Sequence, residues 1–546
     1  MEKLKAFISN HYFTLLVGVV IWFAFLVRYY HTSIGLPYLY YWDEPQTAST
    51  ALAMMKSGDF NPHFFAYGTL TIYANLVVDI LHYFSLMGLP SNDPNYLISI
   101  NDIQTYKDTG WKWTISHPSF YHANRVFSVL LGTATVLVTY LISKIVFNRY
   151  IALISASFLA TLYFHVLRSA WIATDSPVAL FVLLVVLFSL LFIQTQKLSY
   201  FILSLVFVGV SIATKYNAGL SILIPFISLI WLSYSSKGNI QTYMWFLSLS
   251  LPIVIFMIIM PYAILDLPIF LNHVGGEIRH YKVLGQGVDD SVTPGIAHLK
   301  LQLLNFYYNV GLFNTIMALL GVGGILFRPL FIFTLMMPLL YISYMVGTKV
   351  SYHRNFVQVY PFIALLFGSG FYVLYRAIDR FKRDYKLVAP IVVTLLALLL
   401  LVPQAYTTLK LSKIERDARD SRTHAINAIN RLKGYDRVVI AKELRVHPTE
   451  LKLLHIPYTI QPLLTIASTK RKERTLYILP ALVTSAKWRE KKELVNAMRS
   501  FIDSIPISAI VQKVVRNDRG DKRAYVGVTR LEHYSISPTI LFVKKF

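Results

Sequence analysis

The feature that most restricts this chain is the recurrence of apolar runs of about 20 residues, the length a helix needs to cross the hydrocarbon core of a bilayer. They fall near 12–30, 124–147, 150–168, 176–194, 199–214, 217–234, 242–262, 311–327, 330–347, 356–375 and 387–407. Composition agrees with the runs: of 546 residues, 55% are hydrophobic and only 15% charged, too apolar a balance for a soluble globular protein of this size. The expected fold class is therefore a polytopic α-helical membrane protein of about eleven spans.

Charge orients the spans. With Lys3 and Lys5 on the cytoplasmic side, the short inner connections carry Lys144 and Arg149, Lys197, Lys237, Arg328, and the cluster Arg376, Arg380, Lys382, Arg383 and Lys386. Each satisfies the positive-inside rule. An odd number of spans then puts the residues after 407 outside, so the expected location is the cell membrane, multi-pass, with a cytoplasmic N-terminus. The formal net charge of +24 raises the question of nucleic acid. From Thr408 onward, 28 basic residues face 13 acidic ones, and the rest of the excess surrounds the spans. That distribution fits orientation and anionic lipid, and no nucleic-acid motif accompanies it. The chain has no cysteine, which excludes disulfides, zinc–thiolate sites and cysteine nucleophiles.

Two domains are expected: a membrane domain over 1–407 and an extracytoplasmic α/β domain over 408–546. Long outer loops fall at 31–123 and 263–310. The first holds a run at 68–88 whose Thr71, Asn75, Asp79 and His82 recur at spacings of four, four and three. One polar stripe down a helix suggests that it lies in the outer interface instead of crossing. The second loop, rich in glycine and without apolar periodicity, suggests a mobile segment of the kind that lids a substrate site. After Gln404 the runs 437–441, 475–480, 508–515, 523–529 and 540–546 read as strands, alternating with helical stretches near 421–433, 447–455 and 487–502. They carry no catalytic or nucleotide motif, which leaves this domain an accessory or acceptor-contacting role.

The chemistry centres on YYWDEPQ, residues 40–46, with adjacent carboxylates Asp43 and Glu44 at a membrane edge. Such a pair must be solvated, paired or used. The plainest use is capping, with Asp43 as N-cap and Gln46 closing a capping box on a helix through Met55. Other charges at the outer ends of spans are Arg125, Arg168, Asp175, Lys215, Lys349 and Arg354, with His353 beside the last. Arg125 and Arg168 read most simply as arginines snorkelling to headgroups. Lys215, in ATKYN, and Arg354, in KVSYHRNF, have almost no loop in which to hide. Acids and bases converging on one membrane face suggest a cationic hold on a lipid phosphate, with a carboxylate taking a proton from an acceptor.

Five stretches in order resemble the C-type membrane glycosyltransferases that use polyprenyl-phosphate sugars, the group that includes protein O-mannosyltransferases and the transferases that add aminoarabinose to lipid A. They are YYWDEPQTASTALAMMKSGDFNP, HANRVFSVLLGTATVLVTYLISK, RSAWIATDSPVALF, GVSIATKYNAGLSILIP and RNFVQVYPFIALLFGSG. The resemblance implies inverting transfer of a sugar from a polyprenyl-phosphate donor to a lipid, glycan or protein acceptor at the outer face. It implies Asp43 as the base, with Glu44 and Asp175 completing the catalytic group. Lys215 and Arg354 would hold the donor phosphate. Beside them we expect His353 and Arg168 at the phosphate, and Tyr41, Trp42, Tyr67, Tyr216 and Tyr352 around the substrates. Where many members have a Tyr/Pro-Pro/Ser-Leu element, this chain reads FAYGTL at 65–70, with Gly68 and Thr69 in place of proline.

No cofactor beyond the donor lipid is required by this scheme. Relatives also use paired acids for a divalent metal, and Asp43 with Asp175 could do so, although no His/Asp cluster at ligand spacing supports it. Two other readings remain at this point: transfer of a lipid-linked oligosaccharide by the same fold, and lipid or solute transport without chemistry. The charges sit at the outer ends of spans and no internal repeat is evident, unlike the usual transporter pattern.

Overall fold

The computed structural model describes residues 2–41, 43–90, 97, 99–109, 117–234, 240–285, 292–381, 388–417, 420–468, 474–481, 492–514 and 540–544. The chain divides into two compact units: Met1–Thr32 with Asp43–Ser412, and Ser33–Trp42 with Lys413–Phe546. The first contains the apolar helices. Among the described residues nine are long and apolar enough to cross a membrane, and there are eleven if two bent pairs each count as one span. The pairs are Arg149–Thr161 with Tyr163–Ser169, bent by 66°, and Ile296–Val310 with Leu312–Phe327, bent by 112°.

At the centre of this unit stands the helix Asp175–Thr195, apolar on every side as a fully enclosed helix must be. Val178, Val182, Leu183, Val185, Val186 and Leu190 have no exposed surface. It packs on the helices Pro118–Val146 and Leu198–Thr214. Helices at the rim instead expose large apolar side chains such as Trp22, Phe246 and Leu399, the expected surface for a protein whose solvent is lipid.

The helix Leu70–Met87 differs from the interfacial helix expected for 68–88. Its polar stripe faces inward: Thr71, Asn75 and Asp79 are buried, and Asn124 Nδ2 donates to Asp79 Oδ1 at 2.6 Å. Val77, Leu81 and Phe84 face outward. By length and apolarity the helix also qualifies as a span. The periodicity is the expected one, but Thr71, Asn75 and Asp79 are buried, and Asn124 on Pro118–Val146 supplies a partner for Asp79.

The loop expected at 263–310 is largely helical, with Tyr262–Leu265, Leu267–Arg279 and Ile296–Val310. Gly275 and Gly276 sit inside the second of these with open space where side chains would be, so the glycine density does not break the helix. That helix carries Glu277 toward the cleft described below.

The second unit is built on a five-stranded sheet, β1 (Arg437–Ala441), β2 (Tyr458–Gln461), β3 (Thr475–Pro480), β4 (Ile510–Val514) and β5 (Ile540–Val543), in the order β2-β1-β3-β5-β4. β1 runs parallel to β2 and β3; β5 is antiparallel to β3 and β4. Register is set by pairs such as Val439 with Tyr477 and Ile478 with Phe542. β3 and β5 are buried at every position, hence their unbroken apolar runs. Ala425, Ile426 and Ile429 from the helix Ser421–Ile429, and Met498 and Ile502 from Lys492–Asp503, complete the core. The strand β2, in PYTIQ, was not among those expected, and the strand expected at 523–529 lies outside the described residues.

Candidate active site

The first unit contains a cleft of about 90 Å³, partly open to solvent, lined by residues from six separate stretches of chain. Asp43 and Thr47 come from the start of the helix Glu44–Ser57, Tyr67 from the following loop, and Ala173, Thr174 and Asp175 from the start of the central helix. Lys215 comes from the break between Leu198–Thr214 and the 3₁₀ turn Tyr216–Ile222, and Glu277, His280 and Tyr281 from the Leu267–Arg279 helix and its extension. Val350, Tyr352, Arg354 and Asn355 close the ring from the turn before the helix Tyr360–Phe381.

Asp43 occupies the N-cap position of its helix, but its side chain makes no capping bond. Its Oδ2 instead lies 3.2 Å from Arg354 Nε. The Arg354 guanidinium stacks on the Tyr352 ring, 4.1 Å from the ring centroid, which fixes the plane of its donors. Across the cleft Lys215 Nζ donates to Asp175 Oδ1 at 2.6 Å and to Asn355 Oδ1 at 3.4 Å. Asn355 is held by Tyr341, whose hydroxyl donates to its carbonyl at 2.7 Å. Two cations and two carboxylates thus form two pairs on one wall system, with Asn355 beside Arg354 linking them through the chain.

Lys215 reaches the cleft because the helix before it stops: its backbone is extended, and the next turn is 3₁₀. The loop carrying Tyr67 is pressed onto this break. A Cβ on Gly68 would lie 2.1 Å from the Ala213 carbonyl oxygen, so a glycine at this position permits the approach. Tyr216 does not line the cleft; its hydroxyl donates to the carbonyls of Phe65 and Tyr67, at 2.9 and 3.1 Å. The same loop is stitched to the Leu267–Arg279 helix by Phe65 N to His273 Nδ1 at 3.1 Å, and by Asn61 Nδ2 to Asp266 Oδ2 at 2.7 Å.

Three titratable residues of the cleft were not among those singled out from the sequence: Glu277, His280 and Tyr281. Burial, with the Asp43 charge adding to it, raises the Glu277 carboxyl to about 7 despite Lys215. Asp43 first, then burial, pushes the Tyr67 phenol up. Burial likewise raises Tyr281 and lowers His280. The signal available was an acid and a tyrosine four apart, Glu277 and Tyr281, in a stretch whose glycines argued against helix.

The remaining expected site residues lie elsewhere. Glu44 is fully buried behind the cleft: Arg125 Nε and Nη2 meet its two oxygens at 2.8 and 2.7 Å, and Ile172 N donates to Oε1 at 3.1 Å. Arg125 is therefore a buried clamp and not a snorkelling surface arginine. His353 is enclosed between Gln302 Oε1 and the Tyr360 hydroxyl, at 2.7 and 2.6 Å, and does not line the cleft. Arg168 is buried against the rings of Phe164 and Trp171. Tyr41 is buried in the second unit, and Trp42 lies outside the described residues. For a metal, among the described residues no group of three or more His, Cys, Asp or Glu side chains is placed to hold one, and Asp43 and Asp175 each face a different cation.

Residues 121–264, about a quarter of the chain, match the family model described as dolichyl-phosphate-mannose-protein mannosyltransferase. In structure the chain is similar to ArnT from Cupriavidus metallidurans, both in the apo state and bound to undecaprenyl phosphate. The identity is 13% in each case, the TM-scores are 0.50 and 0.51, and 98% of either chain is covered. At that identity the likeness is one of fold. None of the curated proteins matches the chain in sequence.

Proposed function

On the premise that the chain carries the fold of the C-type membrane glycosyltransferases, we propose that it transfers a sugar from a polyprenyl-phosphate donor to a lipid, glycan or protein acceptor at the outer face of the membrane. The observation that carries the reading is the convergence of Asp43, Asp175, Lys215 and Arg354 on one cleft. The ArnT match bound to undecaprenyl phosphate and the family model over 121–264 support a lipid-phosphate donor.

The cleft suits that reaction physically. A phosphate leaving group needs its charge held, and Lys215 as a point charge with Arg354 as a planar fork supply this. Asp43 takes the proton of an acceptor hydroxyl or amine; the acceptor atom bonds to the anomeric carbon from the face opposite the phosphate. The carbon–oxygen bond to phosphate breaks with its electron pair remaining on the phosphate oxygen, giving inversion. Asp175 keeps Lys215 charged and in place. Tyr67 and Tyr352 wall the reacting groups. No nucleophile on the protein is required.

The test is transfer of label from a polyprenyl-phosphate sugar by the purified protein, with binding of the donor measured separately. Asp43→Asn is expected to abolish transfer while donor binding persists, and Arg354→Ala to weaken both. Full activity in both variants would remove the assignment. Flux of lipid or solute in proteoliposomes lacking any acceptor would instead favour a transporter.

A further inference from the structure

The cleft holds one carboxyl more than its ion pairs account for. Asp43 is paired with Arg354 and Asp175 with Lys215, whereas the Glu277 side chain makes no hydrogen bond or ion pair with any described residue. It is not simply left in water. Burial raises it to about 7, and two charges act on it: Lys215, which lowers it, and Asp43, which raises it. Glu277 therefore stands beside both the cation proposed for the phosphate and the carboxylate proposed as the base. A polar group kept half-buried without a partner costs free energy, and a ligand that supplies the partner recovers it.

The element that carries Glu277 is fixed at both ends. Glu277 and Tyr281 are four apart, on the helix Leu267–Arg279 and the wider turn His280–Leu284 that continues it, so the two share a face. At the near end Phe270 meets the Phe65 ring edge-on at 5.8 Å, beside the Phe65–His273 and Asn61–Asp266 bonds to the loop carrying Tyr67. At the far end Lys349 N donates to the Tyr281 carbonyl at 2.8 Å, and Lys349 Nζ donates to the Val283 carbonyl at 3.0 Å. Lys349 stands just before the stretch that brings Tyr352 and Arg354 to the cleft. The Glu277 carboxyl and the rings of Tyr67, Tyr281 and Tyr352 are thus borne on three cross-tied stretches of one cleft, a preorganised set.

A sugar fits that set chemically. With its phosphate on Lys215 and Arg354 and its anomeric carbon open to an acceptor activated by Asp43, the sugar ring must lie between them, where Glu277 is. Hydroxyls line the edge of a sugar and C–H groups cover its faces; a carboxyl takes the first and aromatic rings the second. A protonated carboxyl both donates and accepts, and it adds no charge beside the phosphate. Resting on the reading of Lys215 and Arg354 as the phosphate holders, we propose that Glu277, with Tyr67 and Tyr281, is the subsite for the donor's sugar and determines which sugar is accepted. Sites of this kind discriminate strongly, because a sugar that lacks the matching hydroxyl leaves a buried polar group unpaired.

The experiment measures binding by the purified full-length protein, at about pH 6, of undecaprenyl phosphate and of its mannose, glucose, galactose and arabinose esters. The wild type is expected to separate the four esters by roughly tenfold or more. Glu277→Leu should weaken the best of them roughly tenfold and erase the ranking, while undecaprenyl phosphate itself binds as tightly as before or more tightly. Glu277→Gln, which keeps a donor and an acceptor in the same shape, should stay within about threefold of wild type. Lys215→Met should weaken all five lipids alike, since it acts on the phosphate they share. Equal binding of the four esters by the wild type overturns the inference. So does a leucine variant that keeps the ranking or loses the bare phosphate to the same extent, or a glutamine variant as weak as the leucine one. A wild type that binds none of the five lipids would instead remove the donor reading itself.

Discussion

Asp43 and Glu44 are consecutive residues with opposite fates, and the comparison separates what holds this protein together from what it can do. Glu44 is sealed: both oxygens are taken by Arg125, a backbone N–H adds a third bond, and neither partner has appreciable exposure. Asp43, one step earlier, faces a cleft and shares one oxygen with an arginine that is itself at the surface of that cleft. The difference arises from helix geometry. Side chains one residue apart leave a helix end about 100° apart, so one carboxylate turns into the bundle and the other out of it. A buried ion pair fixes the loop; an open one can be exchanged for a ligand.

The comparison breaks if the two carboxylates behave alike. Asp43→Asn should lower transfer by roughly 100- to 10,000-fold, the usual range for a lost general base, with little change in thermal stability. Arg125→Leu should do the reverse, costing about 3–5 kcal/mol by stranding the Glu44 charge, read as loss of folded protein in a thermal melt; the double variant Glu44→Leu/Arg125→Met should recover most of it. Equal activity losses at unchanged stability in both would dissolve the distinction. Lys215→Met sharpens the cleft side: it is expected to raise the donor KM roughly tenfold or more, since it removes the point charge proposed for the phosphate. Gly68→Ala should cost about 1–3 kcal/mol through overpacking against Ala213 and lower the rate severalfold, because Tyr67 and Lys215 share that junction.

The smallest effect expected is a dependence on pH. The Glu277 carboxyl, raised by burial to about 7 from an ordinary 4.5, is neutral below that pH and becomes charged above it. The added negative charge opposes an anionic phosphate, so the donor KM should rise by a few-fold between pH 6 and 8, and Glu277→Gln should flatten the profile. The same shift means that whatever stability the protonated carboxyl contributes is fully present below its ordinary value and is lost as pH rises through about 7. A donor KM that falls with rising pH would place Glu277 away from the phosphate.

The sequence alone determined the class of fold, because about 20 apolar residues have few other uses, and it marked the pair Asp43 and Glu44 and the outer-end charges Arg125, Arg168, Asp175, Lys215, Lys349 and Arg354 without saying which of them share a cleft. It also determined β1, β3 and β5 of the C-terminal sheet, whose apolar runs follow from burial. Only the tertiary structure decided which charges meet. The polar stripe of 71–79 reads the same facing water or facing Asn124. His353 and Arg168 have the right chemistry for a phosphate but are enclosed by Gln302, Tyr360 and the rings of Phe164 and Trp171. Glu277 is one acid in a glycine-rich stretch until its helix brings it to Lys215. Tyr38 and Tyr40, which no local pattern connects to them, belong with Asp420, Arg422 and Glu450, some 400 residues away. Periodicity within one helix or strand is local and legible, whereas the pairing of charges hundreds of residues apart depends on how the helices pack and where they break.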